Sequence, residues 1–532
     1  MYYTNCVCCA DELEALINST PDGEVCVLEN KEYYISRRVV IKNKNNVTVD
    51  GNNATIISKY VNSDDYTKSV DAFLIKGCNN VALTNLFMDT SVPTTIVGTF
   101  KEIDVENRTA VIKIDDDFKL NGNEVLMAFN TIDADGSSDY HMQYYAKHPD
   151  PNIVTVVFGE ILLANTYSSA KYDYLGNNTY KVYYNHPISS LLTVGERVSI
   201  RHTMYGPAAI TVSDSNDTLI KDITMYHVPG MAIVVLPRST NLVVDGLKVV
   251  AKEGDNCLMP GNCDGIHLTG LHGDFVMKNC VFDGMGDDAL NIHATAGTIT
   301  KLIDENTIKC GYCKKGPDGT LPVRWCEPGD IITAYDPINM QITAELKAID
   351  FTDGILKFEV ISGECRLGDT MQNMTYAPSC TVDNCIIRNS RARGVVIQTS
   401  NVEIKNSVFF GASSAAIKVA PDFNYWYEVG PTYNLNIHDN VIEKCSFRSA
   451  VDPDICVFTK HSTTETDVKH LHKNITVENN VIKASMVSCI SITATDGVTI
   501  KNNRFEGRQD RTNPAIKTHN CTDVVIENNI EI

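Results

Sequence analysis

Asn474-Ile-Thr-Val-Glu-Asn-Asn480, Gly497-Val-Thr-Ile-Lys-Asn-Asn503 and Asp523-Val-Val-Ile-Glu-Asn-Asn529 are one phrase written three times. A polar residue opens it, apolar positions alternate through the middle, and Asn closes it. Working back along the chain, the phrase recurs at Asn434-Leu-Asn-Ile-His-Asp-Asn440, Asn401-Val-Glu-Ile-Lys-Asn-Ser407, Cys380-Thr-Val-Asp-Asn-Cys-Ile386 and Asp274-Phe-Val-Met-Lys-Asn-Cys280. Earlier copies stand at Asn241-Leu-Val-Val-Asp-Gly-Leu247, Asp217-Thr-Leu-Ile-Lys-Asp-Ile223, Asn80-Val-Ala-Leu-Thr-Asn-Leu86 and Asn46-Val-Thr-Val-Asp-Gly51. A period of two marks a strand with one buried face, and the closing Asn or Gly supplies a tight bend. Uninterrupted neighbours start 21 to 40 residues apart, about one turn of a solenoid. One such turn cannot bury its apolar face alone, so the turns must stack. The fold expected is all-β, a right-handed parallel β-helix, with Asn and Cys laddered at the bends. Asp11-Glu-Leu-Glu-Ala-Leu-Ile17 reads as a short amphipathic helix over the first coil.

The phrase disappears twice. Residues 96–205 and 301–375 carry hairpin-like alternation instead, as in Thr109-Ala-Val-Ile-Lys-Ile114 and Tyr180-Lys-Val-Tyr-Tyr184. We read both as small β-barrels inserted into the coil loops. The expected organisation is therefore an N-terminal cap with the first coils (1–95), an inserted barrel (96–205), coils 206–300, a second inserted barrel (301–375) and C-terminal coils 376–532.

Composition narrows the function. Of 532 residues, 43% are hydrophobic and 21% charged, which suits a packed globular chain and not a disordered one. Asp and Glu number 66 against 46 Lys and Arg, a formal charge of −20. That balance argues against nucleic acid and anionic membrane as partners and favours a neutral ligand. The opening MYYTNCVCCADELEALINST lacks a basic start followed by an apolar run, so a cytoplasmic location is expected. The 18 cysteines are then expected to be mostly reduced. No phosphate loop, dinucleotide fingerprint or Gly-x-Ser-x-Gly elbow occurs.

Chemistry concentrates on two neighbouring coils, at Cys263-Asp264-Gly-Ile-His267 and Gly286-Asp-Asp-Ala-Leu-Asn-Ile-His293. Asp264 and Asp288 are one coil period apart and begin equivalent strands, and stacked strands lie ~4.8 Å apart, so Asp264, Asp287 and Asp288 should crowd together. Alternation sends Ile266, Leu268, Leu290 and Ile292 into the core and turns His267, Asn291 and His293 outward beside the carboxyls. Crowded carboxylates raise one another's pKa, leaving one protonated acid beside one ionised base. Glycoside hydrolysis needs that pair, ~6.5–9.5 Å apart for inversion and ~5–5.5 Å apart for retention. The blander reading is that Asp-Asp and Asp-Gly are ordinary corner residues capping backbone N–H groups.

Lesser signals surround the pair. Arg391 and Arg393 are candidates to grip sugar hydroxyls or hold a carboxylate. Trp426, one of two tryptophans, offers a platform for the apolar face of a sugar, and Glu428 beside it a hydroxyl contact. Cys310 and Cys313, with Cys326 and Cys365 downstream, have zinc-knuckle spacing, but one such pair is weak and unbridged thiols are expected. Cys257 and Cys263 flank the loop that leads to Asp264.

Together with Ser390-Arg-Ala-Arg-Gly-Val-Val-Ile-Gln398 and Ala420-Pro-Asp-Phe-Asn-Tyr-Trp-Tyr-Glu-Val-Gly430, these motifs resemble glycoside hydrolase family 110, in order and spacing, over most of the chain. The resemblance implies a β-helical, inverting exo-α-galactosidase acting on terminal α-1,3-linked galactose, as in the blood group B determinant, without metal or other cofactor. It carries the family's acidic trio onto Asp264, Asp287 and Asp288. The expected partner is a glycan with terminal α-galactose, and a homo-oligomer is compatible with the reading. Two rivals remain: a pectin-type hydrolase or lyase, the lyase requiring Ca²⁺ and an Arg or Lys base, and a glycan-binding β-helix without catalysis.

Overall fold

The computed structural model describes residues 8–59, 70–115, 127–131, 156–157, 171–183, 194–195, 197–201, 206–255, 257–311, 325–423, 426–446, 452–459, 468–509 and 511–532. Its backbone is a β-helix of stacked parallel strands, whose crossovers follow the right-handed sense that parallel connections adopt. One side of the solenoid is a ladder running from Val39–Lys42 through Phe73–Lys76, Ile210–Ser213, Ile233–Val235 and Ile266–Leu268 to the strand that starts at Leu290. It continues through Val395–Gln398, Ile417–Val419, Ile455–Val457 and Ile490–Thr493 to Ile516–His519. The register brings one aliphatic column into line: Ile210, Ile233, Ile266, Leu290, Val395, Ile417, Ile455 and Ile490, all with no exposed surface. Each such side chain contributes about 1.5–3 kcal/mol on burial.

The repeated phrase forms the opposite sheets, and its polar residues explain the corners. The opening residues Asn46, Asn80, Asp217, Asn241, Asn401, Asn434 and Asn474 have φ between 46° and 58°. Asn and Asp tolerate that left-handed conformation better than other residues with a side chain. Their side chains also ladder from coil to coil, Asn80 donating to Asn46 at 2.8 Å and Asn474 to Asn434 at 3.0 Å. A second, inward ladder runs Ser407, Asn440, Asn480, Asn503 and Asn529, each Asn oxygen accepting the backbone N–H of the residue before it in the row at 3.0 Å. In the coils bearing Cys280 and Cys385 the same inward position holds buried thiols. The helix Ala10–Ser19 buries Ala10, Leu13 and Ile17 against the first coil.

The two interruptions differ. Within 96–205 the described strands form one antiparallel sheet in the order Val156–Val157, Met127–Thr131, Arg197–Arg201, Thr95–Asp104, Thr109–Ile114, Thr179–Tyr183, Lys171–Gly176. Among the described residues its two end strands do not pair, so closure into the expected barrel is not part of what is seen there. The second insertion closes: Leu290–Asp304 pairs with Thr307–Gly311, then Ile355–Gly363, Ile342–Thr352, Ile331–Tyr335 and Thr370–Asn373, which returns to Leu290–Asp304. Ile299, Trp325, Ile332, Leu346, Phe358 and Met371 fill it. Leu290–Asp304 is shared: its first residues belong to the coil ladder and its remainder to the barrel. The barrel is thereby fixed to the strand that carries Asn291 and His293.

Candidate active site

Asp264 and Asp288 precede the equivalent strands Ile266–Leu268 and Leu290–Asp304, one coil apart, where Ile266 pairs with Leu290 and His267 with Asn291. The glycine between Asp264 and Ile266 is what lets these coils meet. A Cβ on Gly265 would lie 2.4 Å from the Phe282 ring and 2.5 Å from the Ala289 carbonyl oxygen. Asp264, Asp287 and Asp288 each place a carboxylate oxygen within 4.8 Å of the others, about one coil spacing. Asp264 and Asp288 are 5% and 1% exposed. Asp287 is the most open of the three.

Cations from the next coil meet this charge. Arg393 approaches Asp288 at 2.7 Å and donates its backbone N–H to the same carboxyl at 2.9 Å. Arg391 reaches Asp287 at 3.1 Å and also donates to the Gly286 carbonyl. Asp264 takes a 2.5 Å hydrogen bond from His267 Nδ1 and a 3.2 Å bond from the Asp288 backbone N–H. The His267 and His293 Nε2 atoms are 3.2 Å apart, and His293 Nδ1 lies 2.9 Å from the Ala294 carbonyl. That carbonyl assigns the His293 proton to Nδ1, so its Nε2 accepts from His267 Nε2–H and His267 carries both protons.

The electrostatics agree with this assignment. Burial alone would depress His267, but the Asp264 carboxylate outweighs it and holds the imidazole above its ordinary value. His293 is pushed down by burial and by the neighbouring His267. Asp264 is raised by burial, against the pull of His267. For Asp288 two influences conflict: Arg393 favours the ionised form, while complete burial and the charges of Asp287 and Asp264 favour the protonated one. The upward direction prevails, carried first by burial and then by the charges of Asp287 and Asp264, which together outweigh Arg393. The proton belongs to the coupled set more than to one residue.

Glu428 arrives from the far side. The strand Glu428–Val429 pairs antiparallel with Thr295 and Ala294, which sets Glu428 beside the two histidines; one ligand atom from each of His267, His293 and Glu428 lies within 4.8 Å of the others. Asn291 donates to Glu428 at 3.3 Å. Trp426 is half-buried two residues away, its backbone N–H held by the Asp422 carboxylate at 2.9 Å. Asp264, Asp287, Asp288, His267, Asn291, His293, Arg391, Arg393 and Glu428 are thus brought together, with Trp426 at the margin. His267, Asn291 and His293 do leave the coil core, as alternation requires, yet they are enclosed, because the barrel and the Glu428 strand cover that face.

Two site neighbours escaped the sequence reading. Lys418 occupies the same outward row as His267 and Asn291, and its ammonium meets Asp452 at 2.9 Å. The available signal was a lone Lys in the apolar run Ala415-Ala-Ile-Lys-Val-Ala420. Cys313 lies outside the described residues, while burial pushes the Cys310 and Cys326 thiols far up and Cys365 to about 11, which keeps them protonated at neutral pH.

The sequence profile described as "Right handed beta helix region" matches residues 361–505. Alpha-1,3-galactosidase B of Akkermansia muciniphila is 25% identical over 63% of this chain and 43% of its own. The chain thus spans less than half the length of that relative. Alpha-1,3-galactosidase B of Bacteroides thetaiotaomicron is 23% identical over 92% of this chain and 79% of its own, and alpha-1,3-galactosidase A of Bacteroides fragilis 21% over 99% and 90%. Among solved structures, the A-module of a mannuronan C-5 epimerase from Azotobacter vinelandii is similar with a TM-score of 0.43 at 12% identity, covering 96% of this chain and 93% of that one.

Proposed function

We infer, from a chain that is homologous to bacterial α-1,3-galactosidases and resembles glycoside hydrolase family 110 along its length, that this protein is an exo-acting glycosidase releasing terminal α-1,3-linked galactose. The observation that carries the reading is the trio Asp264, Asp287 and Asp288 on adjacent coils, with oxygens within 4.8 Å of one another and burial pushing Asp288 towards its protonated form. Such a set holds an acid and a base side by side at neutral pH. A protonated carboxyl of the trio gives its proton to the glycosidic oxygen as the C–O bond breaks. An ionised one takes a proton from the water that attacks the anomeric carbon. His267, linked to Asp264 at 2.5 Å and to His293 at 3.2 Å, holds that carboxyl in place and carries charge away from it.

Inversion is the stereochemistry we propose, with water entering opposite the leaving group. The nearest oxygens of the trio are closer than the ~6.5–9.5 Å between carboxyls of inverting enzymes, so in this reading the acid and base use the trio's outer oxygens. Arg391 and Arg393 are engaged by Asp287 and Asp288, which speaks against the lyase reading, where a free arginine would act as base.

The test is an NMR time course of the protein with Gal-α-1,3-Gal, with and without EDTA, beside Asp288→Asn. Initial β-galactose that survives EDTA and vanishes in the variant supports the proposal. Initial α-galactose refutes inversion, and loss with EDTA refutes the metal-free reading. No turnover on any α-galactoside refutes the function and leaves the glycan-binding β-helix.

A further inference from the structure

The ladder that carries His267 and Asn291 continues past the trio. In the outward row, His267 pairs with Asn291, Asn291 with Val396, Val396 with Lys418 and Lys418 with Cys456. Lys418 is 2% exposed, and its ammonium lies 2.9 Å from Asp452, which also accepts a 2.6 Å hydrogen bond from the Ser414 hydroxyl. Burial would raise the Asp452 carboxyl, but Lys418 and Ser414 hold it below the usual range. Lys418 is buried to a degree between that of Asp264 and Asp288, and Asp452 is somewhat more open than either.

Arg393 links the two groups, its charge acting on Asp288 and on Asp452 alike, and the small side chains of Ala392 and Ala415 on the same coils are buried. Two buried atoms in this interval, the Asn291 carboxamide oxygen and Arg393 Nε, have no hydrogen-bond partner among the described residues. Buried polar atoms without partners are costly and rare, and they accumulate where a ligand supplies the missing bond. The interval is two coil spacings from Asp288 to Lys418, ~9.6 Å, which is farther than one pyranose ring reaches from its anomeric carbon.

We propose that Lys418, Asp452 and Ser414 form the subsite for the sugar on the far side of the scissile bond, and so set which aglycone is accepted. The inference rests on the glycosidase reading. An ammonium beside a carboxylate suits a vicinal diol: one hydroxyl donates to Asp452 and its neighbour accepts from Lys418. The ligand class is therefore a neutral pyranose with two adjacent free hydroxyls.

The experiment compares wild type with Lys418→Met and with the double variant Lys418→Met/Asp452→Asn, which leaves no unpaired buried charge. Each is assayed on Gal-α-1,3-Gal and on an aryl α-galactoside that has no second sugar, with Tm measured in parallel. The disaccharide should lose at least about tenfold more kcat/KM than the aryl galactoside, mostly through KM, the size expected when one or two hydrogen bonds to a sugar hydroxyl are lost. Equal losses on both substrates, with or without a lowered Tm, would overturn the subsite and assign the ion pair to the coil. If wild type cleaves neither substrate, the failure lies with the glycosidase reading instead.

Discussion

At the level of single residues the decisive fact is how much charge is buried and how it is matched. Asp264, Asp287 and Asp288 act on one another across less than 5 Å, with Arg391, Arg393 and His267 supplying the opposing charge. Asn in place of any one of the three keeps the shape and removes a proton carrier; steady-state kinetics should record a kcat loss of about 10²–10⁴-fold. Asp454 is a different case. It has no exposed surface, its carboxyl oxygens have no hydrogen-bond partner among the described residues, and burial pushes it up to about 8. The nearby Ser485 hydroxyl donates to the Val487 carbonyl instead. Below about pH 4 the group is protonated folded or unfolded and is harmless. As pH rises towards 8 the unfolded chain ionises first, so that stability is progressively lost across this window. Asp454→Ala, which places there the residue type that the preceding coil carries at Ala416, should gain about 2–4 kcal/mol relative to wild type between pH 5 and pH 8.5 in urea melts. A pH-independent difference would contradict the burial argument.

At the level of elements, the coil corner does two things with one residue type. Asn480 accepts the Asn440 backbone N–H and donates to Ile437 and Glu478 carbonyls and to Asn503, all at 2.9–3.0 Å and out of contact with water. Asn480→Ala strands several buried partners at once and should cost about 2–4 kcal/mol in thermal or urea unfolding, while leaving the remote active site's KM in place. Gly265→Ala tests the other corner. Its methyl would meet the Ala289 carbonyl at 2.5 Å, so both stability and kcat should fall, the former by about 1–3 kcal/mol. An unaffected kcat would show that the close approach of the two coils does not position the trio.

Across the whole molecule, the acidic balance of −20 meets a site whose charges are internally paired. A neutral glycan gains nothing from long-range steering, and buried pairs are screened little by salt. The kcat/KM on a neutral galactoside should therefore stay within about twofold between 20 and 500 mM NaCl. A steep salt dependence would point to a charged substrate.

Much of this molecule was legible in its sequence because the information is local and repeated. The phrase from Asn46 to Asn529 carries strand, bend and register, since period-two alternation and Asn in left-handed backbone are properties of a few neighbouring residues. The stacking of Asp264 on Asp288 followed from a separation that matches one coil of the repeat. What the sequence could not carry is contact between distant segments. Glu428 meets the histidines only because Glu428–Val429 pairs with Leu290–Asp304, and Arg393 meets Asp288 across the whole second insertion. Lys418 meets Asp452, 34 residues further along the chain, only because the coils stack. The sequence by itself determined the solenoid and its acidic coils; only tertiary structure decided which cations and which roof enclose them, because long-range pairing and burial set pKa values that no local pattern encodes.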